Sequence, residues 1–189
     1  MLIYIHGFRS SPESFKAQML SHRMVVAGLG EQFACPALPV SPAAAIEQIR
    51  HDFLLGPQDT LVGSSLGGYY STWLAEKTGC RAVLLNPAIN PVRDLAPYVG
   101  DLRTYHDDQP MRFEPEYLDE LASLETEVVS NPERYMLVAA KGDELLDWRE
   151  MVAKYPDVSV RLIEGSDHGL SDFTDHIDAV LSFAGYGQA

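Results

Sequence analysis

Ser65 stands in Gly63-Ser64-Ser65-Leu66-Gly67, which fits G-x-S-x-G. An apolar run, Thr60-Leu61-Val62, precedes it, and helix-forming sequence over 68–77 follows. That order predicts a sharp strand-to-helix turn, with glycines where side chains would collide and the serine hydroxyl held exposed at the tip. A serine hydroxyl is a weak nucleophile at neutral pH. It needs a base to take its proton, an acid to orient the base, and donors to hold an oxyanion.

Candidates for each part follow other apolar runs. His168 sits in Glu164-Gly165-Ser166-Asp167-His168-Gly169, just after the run 158–163. Asp143 sits in Lys141-Gly142-Asp143, just after 135–140. The order Ser, Asp, His suits groups carried at successive strand ends. Asp147, adjacent Glu144 and, on the earlier side, Asp94 are alternative acids, with Asp143 nearest its strand end. Asp147 is also placed to cap a helix beginning near Trp148, with Leu145 and Leu146 packing inward. His176 falls in a terminal helix, His22 and His51 lie on early helices, and His106 belongs to a long connection. Of the histidines, His168 is therefore the expected base. The Leu66 N–H at the helix start is one oxyanion donor. Phe8, after His6-Gly7 in the loop behind the first strand, offers the other.

The elements that must position these groups alternate. Strands are expected at 2–5, about 32–36, 60–62, 81–85, 135–140 and 158–163. Helices are expected from Pro12, capped by Ser11, to about Val26, from Pro42, capped by Ser41, through Leu54, after the elbow to near Gly79, and from about Asp172 to Phe183. Strands alternating with helices imply a mostly parallel sheet covered on both faces, with about six strands. Residues 88–132 exceed a simple crossover. Pro91, Pro97, Pro110 and Pro115 interrupt the first part, and then Tyr117, Leu118, Leu121 and Leu124 form a helical stripe. A long insertion at the carboxyl ends of parallel strands shapes ligand sites, so this stripe is expected to wall a substrate pocket.

Composition bounds the rest. The 189 residues are enough for one domain, taken as 1–189, with a sizeable core. The formal net charge of −13 argues against nucleic acid and anionic membranes as partners. It also disfavours a polyanionic substrate unless a local basic pocket captures it. No apolar run approaches the roughly 20 residues of a membrane span, and the N-terminal run lacks the shape of a signal segment. A cytoplasmic location is expected. Cys35 and Cys80 show no metal-type spacing and read as small apolar residues in a reducing compartment. No His, Cys or carboxylate cluster has metal-ligand spacing, so no metal is expected.

The chain resembles a small α/β-hydrolase, and more narrowly the compact bacterial esterases of the YqiA type. The resemblance is carried by L-I-Y-I-H-G-F-R-S-S-P at 2–12, G-S-S-L-G-G-Y-Y at 63–70 and L-L-N-P-A at 84–88. G-D-E-L-L-D at 142–147 and G-S-D-H-G at 165–169 complete it. It implies an α/β-hydrolase fold with a small lid insertion, and Ser65 as nucleophile, Asp143 as acid and His168 as base. It further implies esterase or thioesterase activity on a small acyl ester or thioester, with no cofactor. A non-catalytic hydrolase fold that binds a partner through its acidic surface and insertion is the alternative from another class. Neither substrate nor oligomeric state is legible in the residues.

Overall fold

The computed structural model describes residues 1–187. Its strands are β1 (Leu2–Ile5), β2 (Phe33–Ala34), β3 (Thr60–Ser64), β4 (Arg81–Leu85), β5 (Gly100–Arg103), β6 (Pro110–Phe113), β7 (Tyr135–Ala140) and β8 (Ser159–Ile163). Six of them form one sheet in the order β2-β1-β3-β4-β7-β8, and every pairing in it is parallel. The α-helices are α1 (Phe15–Val26), α2 (Pro42–Asp52), α3 (Leu66–Thr78), α4 (Pro91–Leu95), α5 (Glu116–Ser123), α6 (Trp148–Lys154) and α7 (Ile177–Phe183).

The central strands are apolar on both faces because both are covered. Alternation along each strand sends neighbours to opposite cores. Leu2 and Tyr4 of β1, Val62 of β3 and Val138 of β7 pack with Leu20 and Met24 of α1 and Val180 and Leu181 of α7. Ile3, Ile5, Leu61 and Leu137 pack on the other face with Ile49 of α2, Leu74 of α3 and Met151 of α6. Fully burying one such leucine or isoleucine is worth about 1.5–3 kcal/mol, so each core fixes the strand register firmly.

The chain leaves β1 toward β2 on one side, then returns to place β3 on the other. This reversal opens a crevice beyond the carboxyl ends of β1 and β3, where open parallel sheets bind ligands.

Several element boundaries differ from the sequence expectation. α1 opens at Phe15, not at Pro12. Residues 11–14 form a turn instead, with Ser11 Oγ accepting the Glu13 N–H and Ser11 O accepting the Ser14 N–H. β2 shrinks to two residues. The terminal segment is a 3-10 turn at Phe173–Asp175 followed by the shorter α7. The insertion contains an antiparallel hairpin, β5 with β6, which its prolines and sparse apolar residues did not reveal.

Candidate active site

The elbow forms as the glycines dictate. Ser65 lies between β3 and α3 at φ 54 and ψ −119, a conformation costly for a residue with a side chain. A Cβ on Gly67 would lie 2.0 Å from the Ile5 carbonyl oxygen, so only glycine lets α3 start this close to β1. Strain at Ser65 is held by packing on both sides: its N–H donates to Leu85 O, and its carbonyl accepts from the Gly68 and Ala88 N–H groups.

Three of the chemically chosen side chains meet at this point. Ser65 Oγ lies 3.1 Å from His168 Nε2, and His168 Nδ1 lies 2.8 Å from Asp143 Oδ2. The Asp143 side chain is fully buried and that of His168 is 17% exposed. The second carboxylate oxygen of Asp143 accepts the N–H groups of Leu145 and Leu146, at 2.9 and 2.8 Å. Those two bonds fix the carboxylate's orientation, leaving Oδ2 to face the imidazole. With Asp143 accepting at Nδ1, the tautomer that leaves Nε2 free to take a proton from Ser65 is favoured.

Asp147 has a different place. It is the N-cap of α6, and its carboxylate accepts the Arg149 N–H at 2.9 Å. Leu145, expected to point inward, is instead 61% exposed.

The histidine loop is clamped along its backbone. Asn86, at the end of β4, is fully buried with φ 41. Its amide nitrogen donates to the carbonyls of Asp167 (3.0 Å) and His168 (3.1 Å), while its Oδ1 accepts the Ala140 N–H at 2.8 Å. Glu144 accepts the His168 N–H at 2.9 Å, and Lys16 Nζ donates to Gly169 O. Asn86 is neutral and cannot serve as the acid, so its side-chain chemistry alone does not single it out in the sequence. Its signal was the position itself, a polar residue stopping an apolar strand before Pro87.

The loop after β1 passes directly over the serine: a Cβ on Gly7 would lie 3.2 Å from Ser65 Cβ. Among the described residues, neither the Phe8 nor the Leu66 N–H donates to a protein acceptor. His6 props this loop. Its Nε2 accepts the Leu38 N–H at 3.2 Å, so Nδ1 carries the hydrogen and donates to Gly7 O at 3.0 Å. Burial holds the His6 pKa below its ordinary value, keeping the ring neutral.

A cleft of about 490 Å³ opens above Ser65. Its walls include Phe8, Lys16, Leu95, Tyr98, Leu145 and Leu146, with Tyr105 and His106 at the hairpin tip. The stripe expected to wall it lies elsewhere. Leu121 and Leu124 are buried in the α3-side core, with Tyr69 donating its hydroxyl hydrogen to Leu121 O. Tyr117 and Leu118 are half-buried against the same core. The stripe faces α3 because α5 lies alongside α2 and α4, and its apolar side is spent closing that flank. It touches the cleft at second hand: Tyr117 packs edge-on to Phe113, and Phe113 edge-on to Phe8.

The model of UPF0227, an uncharacterised protein family, matches residues 1–185. The chain belongs to this family. Among solved structures, Est1E from Butyrivibrio proteoclasticus with bound ferulic acid superposes with a TM-score of 0.70 at 16% identity. That match covers 96% of this chain and 86% of that one. Mouse alpha/beta hydrolase domain-containing protein 10 gives 0.69 at 17% identity, covering 96% and 89%. The esterase domain of a Rhodothermus marinus protein gives 0.62 at 18% identity, covering 99% and 84%. The fold is that of the α/β-hydrolases. No helix among the described residues is long and apolar enough to cross a membrane.

Proposed function

We propose that this protein is a serine hydrolase of carboxylic esters or thioesters. The observation that carries the reading is the continuous hydrogen-bonded chain from Ser65 through His168 to Asp143. His168 Nε2 takes the hydroxyl proton as Ser65 Oγ attacks the acyl carbon. The oxyanion that forms is held by the N–H groups of Phe8 and Leu66, the latter at the positive end of α3. The tetrahedral adduct then collapses, the bond to the alcohol or thiol breaks, and His168 gives the leaving group its proton. Water, deprotonated by the same nitrogen, attacks the acyl-enzyme and frees the acid. The Asp143 carboxylate, hydrogen-bonded at Nδ1, compensates the imidazolium. The Rhodothermus domain, an esterase by description, and Est1E, which binds ferulic acid, support ester chemistry on this frame.

The test is hydrolysis of a p-nitrophenyl ester series by the wild-type protein and by Ser65→Ala. Turnover by the first and a loss on the order of 10⁴-fold or more in the second is expected. A Ser65→Ala protein that keeps a tenth of the rate would overturn the assignment.

A further inference from the structure

The cleft carries a lysine whose charge the proposed triad does not use. Lys16, on the first turn of α1, is 9% exposed and lines the cleft beside His168 and Gly169. Its ammonium has three N–H donors. One is given to Gly169 O. Among the described residues no carboxylate lies within 4.0 Å of it. A buried ammonium with a single hydrogen bond is costly, and such a group calls for an explanation.

Its surroundings sharpen the point. Of the cleft's acids, Glu144 holds the His168 N–H and Asp94 pairs with Arg93 through Oδ1 at 2.8 Å, while the buried Asp94 Oδ2 has no partner. Ser14, the neighbouring cleft residue, occupies the N-cap of α1 without capping it. Its hydroxyl is buried, and the nearby Tyr4 hydroxyl does not satisfy it in good geometry. An ammonium with spare donors and an unsatisfied hydroxyl thus share one wall of the cleft, at the positive end of a 12-residue helix.

We propose that Lys16, with Ser14 beside it, anchors a carboxylate carried by the leaving group of the substrate. The carboxylate's two oxygens match the two donors. The leaving-group side follows from the contact with Gly169, because the adjacent His168 protonates the departing oxygen or sulfur. The inference rests on the hydrolase reading and narrows it. A net charge of −13 makes a local cation the means by which an anionic substrate is admitted at all.

Burial brings the Lys16 pKa down to about 8. The nearby charges of Asp167 and Asp143 favour its ionised form, and Glu144, His168 and Tyr4 face the same cleft.

The probes are 4-(butyryloxy)benzoate and the neutral 4-(butyryloxy)benzamide, which share an acyl group. Wild-type protein should favour the benzoate in kcat/KM by about tenfold or more, the worth of a charge-assisted hydrogen bond. That advantage should shrink as pH rises from 7 to 9, because Lys16 loses its proton. In Lys16→Met or Lys16→Gln it should fall to within about threefold of unity. A ratio that is the same in variant and wild type would overturn the proposal, since a lysine acting on Gly169 alone would slow both esters equally. Calorimetric binding of 4-hydroxybenzoate to Ser65→Ala, with and without Lys16→Met, reads the anchor without turnover. If that binding needs Lys16 while neither ester is cleaved, the anchor stands and the hydrolase reading falls. If binding ignores Lys16, the anchor falls.

Discussion

The ends of β3, β7 and β8 and the insertion over 88–132 both border the same cleft, but they are built on different principles. At the strand ends, each functional side chain is one to five residues past a strand whose register the core fixes. Backbone clamps then hold the loops, through Asn86, Glu144 and the two N–H groups that grip Asp143. The insertion is framed differently. Its helix α5 is sunk in the core through Leu121 and Leu124, but the part that lines the cleft is held at the surface. There the Tyr105 N–H donates to Arg9 O, Arg93 pairs with Glu150 between α4 and α6, and Arg9 stacks on Tyr105 at the hairpin tip, 4.2 Å from the ring centre. Exposed pairs of this kind contribute about 0–1 kcal/mol each. The geometry of the proposed triad is therefore set by the sheet, and the shape of the cleft by the surface part of the insertion, which is held more lightly.

The largest contrast should appear between two aspartates four residues apart. Asp143→Asn should lower kcat by several orders of magnitude, because the imidazole loses its orienting charge and its tautomer. Asp147→Asn should cost little in kcat or melting temperature, since asparagine caps a helix about as well. Kinetics and melting curves of both variants check this, and a dead Asp147→Asn would move the acid one turn along the chain.

Asn86→Ala tests whether backbone clamps matter as much as side chains. It strands the Ala140 N–H and loosens the two carbonyls of the histidine loop. A fall in kcat of roughly tenfold to a hundredfold is expected, with KM nearly constant and stability lowered by about 1–3 kcal/mol. Unchanged kcat with the same destabilisation would mean that the loop needs no clamp.

On the insertion, Leu121→Ala should destabilise the protein by about 2–5 kcal/mol and leave the long-to-short ester ratio unchanged, as befits a core residue. Leu95→Ala, on the cleft wall, should shift that ratio toward longer acyl chains at a smaller stability cost. If Leu121→Ala shifts the ratio instead, α5 reaches the substrate after all.

The smallest effect concerns His6. Its folded-state pKa lies below the unfolded value of 6.5, so the unfolded chain takes the proton first as pH falls. The stability linked to His6 is thus complete above about pH 6.5 and is lost below it. Melting temperature should decline on acidification through this range, and the slope should flatten in His6→Gln. An equal slope in both proteins would remove His6 as the cause.

The same difference decides how much of the fold and of the candidate site is legible in the sequence. Apolar runs such as 2–5, 60–62 and 135–140, alternating with helical stretches, made the parallel sheet legible, because burial on both faces leaves a near-continuous apolar run. Ser65, Asp143 and His168 could be singled out because strand ends place them without knowledge of distant packing. The wall of the cleft was not legible. The apolar stripe of α5 looks the same whether it faces a ligand or α3, and periodicity gives a face but not its partner. The hairpin was hidden because Arg103, Thr104, Asp107 and Asp108 carry no alternating apolar pattern, and its pairing leans on polar contacts such as Arg103 with Asp108. Asn86 and His6 act through backbone groups, which leave no pattern in side-chain chemistry.

The central claim is that Ser65 is an activated nucleophile, and a fluorophosphonate probe reads that state directly. Intact mass and peptide mapping should show one adduct, on Ser65, in the wild-type protein. The adduct should be absent in Ser65→Ala and slowed by several orders of magnitude in His168→Ala, which lacks the base. A folded wild-type protein that stays unlabelled, or that is labelled at another serine, would contradict the account.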